Sequence, residues 1–143
     1  MTAFRITVLE KLVQSQPAST AAARGTLSLM ERGFSRYPAA WDKPAIAAMR
    51  GDQCHGVLVL GPDLDDMTVD VRLAWCDPQT PPVFALMLIA LRRWCRERRI
   101  TEVFFTHHEG NLDMARIGSA LGAQPYSYTF KIPVSPSTPK DPA

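Results

Sequence analysis

Residues 67–106 constrain the fold more than any other stretch of this chain. Met67, Val69, Val71, Leu73 and Trp75 alternate with Thr68, Asp70, Arg72, Ala74 and Cys76. That period of two is the pattern of a strand with two distinct faces, the first set on one side and the second on the other. A turn-forming run follows, Asp77-Pro78-Gln79-Thr80-Pro81-Pro82. Residues 83–98 then open almost wholly apolar and close on Arg92, Arg93, Arg96 and Arg98, with Arg99 next, the pattern of a helix. Thr80 is the expected N-cap and Pro81 the expected first helical residue. Residues 103–106, Val-Phe-Phe-Thr, read as a buried strand. A strand, a helical crossover of roughly 20 residues and a second strand form a parallel pair, because a tight turn cannot connect parallel neighbours.

The remaining chain fits around that unit. Phe4, Ile6 and Val8 alternate with polar residues as a first strand. Residues 18–31 are rich in Ala, Leu and Met and read as a helix. Leu27, Met30 and Phe34 form its apolar face, and Gly33 is its stop. Strands at 45–49 and 55–60, joined by Arg50-Gly51-Asp52-Gln53, lead through the turn-rich 61–66 to the strand at 67–76 as an antiparallel meander. Asn111 caps a helix over 112–121 that ends at Gly122, and Tyr126, Tyr128 and Phe130 alternate as a last strand. Met30, Met67, Met87 and Met114 read as core filler. Prolines at 133, 136, 139 and 142 recur every third residue, which suits polyproline II and no packed core. The expectation is one α+β domain over residues 1–134, with a twisted mixed sheet and helices on both faces, and a loose tail over 135–143.

Composition narrows the function. Sixteen Lys and Arg against fourteen Asp and Glu leave a net charge of +2, too little to argue for nucleic acid. The arginines near residue 96 sit where a helix dipole favours cations, by about 0.3–1 kcal/mol each, so they need no nucleic acid to explain them. No run reaches the roughly 18 apolar residues of a membrane span. Three cysteines, Cys54, Cys76 and Cys95, are widely spaced and odd in number, which fits a reducing, cytoplasmic setting. Cys76 and Cys95 read as small buried side chains, and Cys54, near a turn, as the more exposed one. No metal is expected, since no ligand spacing recurs.

Residues 103–106 are followed by Asn111, Met114, Ile117 and Leu121-Gly122-Ala123 at set offsets. With the order strand, helix, three-strand meander, helix, strand, helix, strand, this resembles the GNAT acyltransferase family over residues 5–134. The resemblance implies an acyl-CoA N-acyltransferase fold, acetyl-CoA as donor and a small amine as acceptor. It also implies acyl-CoA contacts at Trp75, Cys76, Val83 and Asn111. Two departures stand out. Family enzymes carry a glycine-rich loop before the long helix, whose amides hold the pyrophosphate. This chain has Pro78-Gln79-Thr80-Pro81-Pro82-Val83-Phe84-Ala85, with no glycine and two N–H groups deleted. Many members also place a Tyr seven residues after the Asn to protonate the departing thiolate, and Gly118 stands there. A narrower likeness is to small GNAT-like proteins of tailed bacteriophages, described as internal virion or assembly proteins. These also lack the glycine loop and end the helix in Gly-Ala. The departures favour a catalytically impaired member acting as a binding or structural protein, virion-associated in the phage case, with a protein partner or a second copy. The alternative is an N-acetyltransferase moving acetyl from acetyl-CoA to an amine.

For that alternative, Asp70 and His107 are the candidate bases. Asp70 lies on the second face of the central strand and serves if that face meets the cleft. Otherwise, paired with Arg72, it is the salt-bridged side of a half-buried strand. His107, with His108 and Glu109, follows the last parallel strand, where His can take a proton near neutral pH and Glu109 can orient it. Three adjacent side chains diverge, so a polar strand-end loop is the competing reading.

Overall fold

The alternating run is the middle of the sheet. In the computed structural model, which describes residues 3–33, 40–79, 83–105, 108–110, 124–126 and 129–134, eleven elements follow one another. They are β1 (Arg5–Leu9), a 3-10 turn (Leu12–Gln14), α1 (Gln16–Glu31), β2 (Ala45–Arg50), β3 (Gln53–Asp63) and β4 (Thr68–Cys76). After these come α2 (Phe84–Glu97), β5 (Glu102–Phe105), β6 (His108–Gly110), β7 (Gln124–Tyr126) and β8 (Thr129–Pro133). The strands form one mixed sheet in the order β1-β2-β3-β4-β5-β8-β7, with β6 also beside β4. β4 runs parallel to β5, with Val69 opposite Val103 and Val71 opposite Phe105. The meander β2-β3-β4 is antiparallel as the turn residues require.

β4 departs from strict alternation. Between Val59↔Leu73 and Leu60↔Val71 the register skips Arg72, a bulge that adds one residue to β4. Val69 and Val71 therefore join Ala74 and Cys76 in one core, while Leu73 and Trp75 join the other. The expected single face of Met67, Val69, Val71, Leu73 and Trp75 is split, because an inserted residue reverses every side chain beyond it. Met67 falls in the β3–β4 turn at φ 55°, and its carbonyl accepts from Thr101 N at 3.0 Å, tying the start of β5 to that turn.

The two helices cover opposite faces. Ser15 Oγ caps α1 by accepting from Ala18 N at 3.2 Å, and Pro17 occupies the first turn. The buried face of α1 is Ala18, Ala21, Ala22, Gly25, Thr26 and Leu29. Leu27 and Met30, the expected core face with Phe34, are 58% and 44% exposed. The small residues won because α1 lies close on the sheet: a Cβ on Gly25 would stand 2.9 Å from Trp75 Cβ. On the other face α2 buries Phe84, Met87, Leu88, Leu91, Trp94 and Cys95. Phe84 meets Phe105 edge to face at 5.6 Å, and Met87, unlike Met30, fills the core.

Two boundaries differ from expectation. α2 begins at Phe84 with Val83 as N-cap, not at Thr80 and Pro81. A residue before proline is biased away from the helical region, so the Pro81-Pro82 sequence disfavours a start ahead of the pair. The last strand is instead a hairpin, β7 against β8, with Tyr126 opposite Thr129 and β8 completing the edge of β5. Alternation at 126–130 reads the same through a two-residue reversal, so the pattern could not reveal it. Phe34, residues 80–82, Met114, the helix expected over 112–121 and the 135–143 tail lie outside the described residues.

Candidate functional site

A second bulge builds the most structured polar cluster of the described residues. Pairing of β2 with β3 passes from Ala48↔Gly56 to Met49↔Cys54, leaving His55 without a β2 partner. On its other side, Asp77 N donates to His55 O at 2.8 Å, one step beyond the Gly56↔Cys76 pair. The two side chains meet at the end of β4, with His55 Nδ1 3.3 Å from Asp77 Oδ2. An ionised carboxylate only accepts, so Nδ1 carries the proton and donates it to Asp77. Asp77 is itself held, its Oδ1 accepting from Gln79 N at 3.0 Å. The ring of His55 also stands edge-on to Phe4 at 5.7 Å, and Arg50 lies over Phe4 at 4.0 Å. Both side chains of the pair are near 10% exposed, and Nε2 of His55 has no hydrogen-bond partner among the described residues.

The pair lines a surface cleft of about 490 Å³, between α1 and the β2–β3 turn. Ala21 and Cys54 are its buried floor, and Arg24, Asp52, His55 and Asp77 its charged or ionisable wall. Arg24 lies over the Trp75 ring at 5.1 Å and meets no carboxylate among the described residues. Thiol chemistry is disfavoured here: burial pushes Cys54 up to about 11 and Cys76 up to about 12, so both hold their protons at neutral pH.

The N-terminus of α2 adjoins this cluster. A Cβ on Gly56, next to His55, would stand 2.7 Å from Val83 Cγ2. Cys76, next to Asp77, accepts a hydrogen bond from the Val83 backbone, so that amide points inward. No side chain caps the helix among the described residues. The first-turn amides of Phe84, Ala85 and Leu86 have no acceptor within the helix.

The residues expected from sequence scatter across this frame. Asp70 is half-buried in mid-β4, opposite Gly61 and Phe104. It does not line the cleft, and seven residues of extended strand, about 20 Å, separate it from Asp77. Trp75 and Cys76 are buried on opposite faces, with their strand paired on both edges, to β3 and to β6. Val83 is buried at the α2 N-cap. His107 and Asn111 lie outside the described residues, while the backbone of His108 and Glu109 runs in β6 opposite Ala74 and Trp75. His55 and Asp77 were not singled out by sequence. Twenty-two residues separate them, and only the antiparallel register brings them together. Among the described residues, no group of three His, Cys, Asp or Glu is placed to hold a metal ion, and no helix is long and apolar enough to cross a membrane.

This architecture recurs in solved structures. A GNAT-family acetyltransferase from Staphylococcus aureus Mu50 superposes with a TM-score of 0.64 at 12% identity, covering 92% of this chain and 100% of that one. N-acetylglutamate synthase from Neisseria gonorrhoeae, solved with coenzyme A and N-acetyl-glutamate, gives 0.65 at 12% identity over 91% of this chain and 35% of that one. A CoA-dependent acyl-homoserine lactone synthase, BjaI, solved with SAM and isopentyl-CoA, gives 0.62 at 10% identity over 92% and 84%. At such identities the likeness establishes the fold, which is that of the GNAT acyl-CoA N-acyltransferases. No family model and no curated protein matches the sequence.

Proposed function

We propose that the protein transfers an acyl group, acetyl in the simplest case, from an acyl-CoA thioester to an amine. The observation that carries this reading is the convergence, within the GNAT fold, of the α2 N-terminus and the His55–Asp77 cleft at the end of β4. The residues present fit the donor, because the Phe84, Ala85 and Leu86 amides are the donor set a diphosphate needs, and the helix dipole adds to them. Those amides would hold the pyrophosphate, with Val83 beside them at the N-cap. Acyl-CoA supplies the activated acyl group as a thioester. Neighbours solved with coenzyme A and with isopentyl-CoA support a donor of this class. Titration with acetyl-CoA tests the reading. At one hundred times Kd, binding adds about 2.7 kcal/mol of stability, roughly an 8 °C rise in Tm for a domain of this size. No shift at millimolar ligand would remove the basis for this function.

One observation favours a second reading, a non-catalytic binding or assembly protein of the kind phage genomes encode. The Val83 amide is engaged by Cys76, and Pro81 and Pro82 carry no N–H, so three amides ahead of α2 are withdrawn from a phosphate. Isolation in a stable hetero-complex or particle, with no acetyl-CoA bound, is the result that would select it.

A further inference from the structure

We infer that the cleft beside α1 is the acceptor site, that it takes a small cationic primary amine, and that His55 is the base that deprotonates it. This rests on the acyltransferase reading and adds to it the acceptor class and the proton acceptor. The charge of the cleft points to a cation: Asp52 and Asp77 oppose a single guanidinium, that of Arg24, which lies over the Trp75 ring. The space, about 490 Å³, admits a small molecule. Every element packed around His55 contributes to its charge environment: Asp77 from the end of β4, Asp52 from the β2–β3 turn, Arg24 from α1, and Arg50 from β2 across the Phe4 ring. Cys54 lines the same wall as a protonated thiol.

The chemistry needs such a base. An ammonium has no lone pair, so it must lose a proton before it can attack. His55, held through Nδ1–H by Asp77 Oδ2, has Nε2 to accept that proton, and the carboxylate balances the imidazolium that forms. The amine nitrogen then bonds to the thioester carbonyl carbon. The C–S bond breaks, and the sulfur leaves with the bonding pair as a thiolate. A second proton leaves the nitrogen and ends on the thiolate, giving a neutral amide and a thiol, while His55 returns its proton to solvent. The cleft and the start of α2 lie at the same end of β4, since Asp77 follows that strand directly and Cys76, its last residue, accepts from the Val83 backbone.

The test combines NMR with kinetics on the full chain. His55→Gln identifies the His55 ring resonance among the three histidines. Ethanolamine and 1,4-diaminobutane, each at millimolar concentration, should move that resonance in the wild type. In acetyl transfer to whichever amine binds, H55Q should lower kcat by about 100-fold or more and change the KM for the amine far less. The acetyl-CoA Kd should stay within about twofold in H55Q, since the base does not touch the diphosphate. Asp77→Asn should lower kcat by about 10-fold or more, because Nδ1–H loses the carboxylate that holds it and balances the imidazolium. Thermal unfolding verifies that each variant is folded, and if H55Q is not, the loss of kcat in D77N decides. A His55 resonance unmoved by both amines, or a folded H55Q or D77N with the wild-type kcat, overturns the inference alone. Failure of the wild type to bind acetyl-CoA instead overturns the acyltransferase reading.

Discussion

Burial decides what the three cysteines can do. Cys54 is pushed up to about 11, and Cys76 and Cys95 to about 12, in each case chiefly by desolvation of the thiolate. The folded thiols bind protons more tightly than the ordinary value near 9, so this stability is fully present below pH 9. It is lost as pH rises toward 11 and 12, by up to about 1.4 kcal/mol per pH unit for each thiol. Urea unfolding at pH 8, 9 and 10 should show a midpoint that falls only above pH 9, and iodoacetamide should label the native protein slowly and the unfolded chain at once. Cys76 and Cys95 are buried as expected, and Cys54, expected to be more exposed beside its turn, is buried too. His55 and Asp77 are the opposite case. Neither belongs to a local motif: the bulge at His55 exists only once β2 and β3 have paired, and the backbone bond from Asp77 N only once β3 and β4 have.

At the scale of the element, α1 and β4 are fitted to one another. Gly25 presses on Trp75, and Leu29 and four small residues complete the contact face. Helix propensity alone would favour Ala at position 25 by about 1 kcal/mol. Overpacking a tight contact costs about 1–3 kcal/mol, so Gly25→Ala should lose stability in urea denaturation by roughly 1–2 kcal/mol net. Leu27→Ser, on the exposed side of the same helix, should change it by less than about 0.5 kcal/mol. An unchanged midpoint for G25A would mean that α1 can lift away from the sheet. This contact also explains why the helix was legible and its face was not. Composition sets the helix, but which stripe of a Leu- and Ala-rich helix turns inward depends on the indole opposite it. The end of α2 shows local chemistry at work again, since Arg98 donates to Trp94 O at 3.1 Å and stacks on that indole at 4.3 Å. Arg98 of the cluster thus has a structural use.

The whole molecule depends on closing the sheet beyond β5. β8 pairs along all four residues of β5, and Ile132 and Val134 enter the α2-side core at 1% and 3% exposure. Removing residues 129–143 should therefore abolish cooperative unfolding in a thermal melt, because it strips one edge of β5 and leaves two core positions empty. A truncated chain that still melts cooperatively would show that residues 1–128 suffice. The same closure fixes β4 between β3 on one edge and β5 with β6 on the other, so its end can hold Asp77 against His55. The cleft is a product of that assembly rather than of any one element.

What the sequence alone determined is the list of parts and their neighbours: the meander, the helical crossover, β4 beside β5, and a helix on each face. Periodicity, turn residues and chain connectivity are local or nearly so, and each can be read from residues within a few positions of one another. Tertiary structure alone decided the bulges at His55 and Arg72, the small-residue face of α1, and the joining of His55 with Asp77. Those depend on register and on close packing between segments distant in the chain, where one inserted residue reverses a face and one indole selects a glycine.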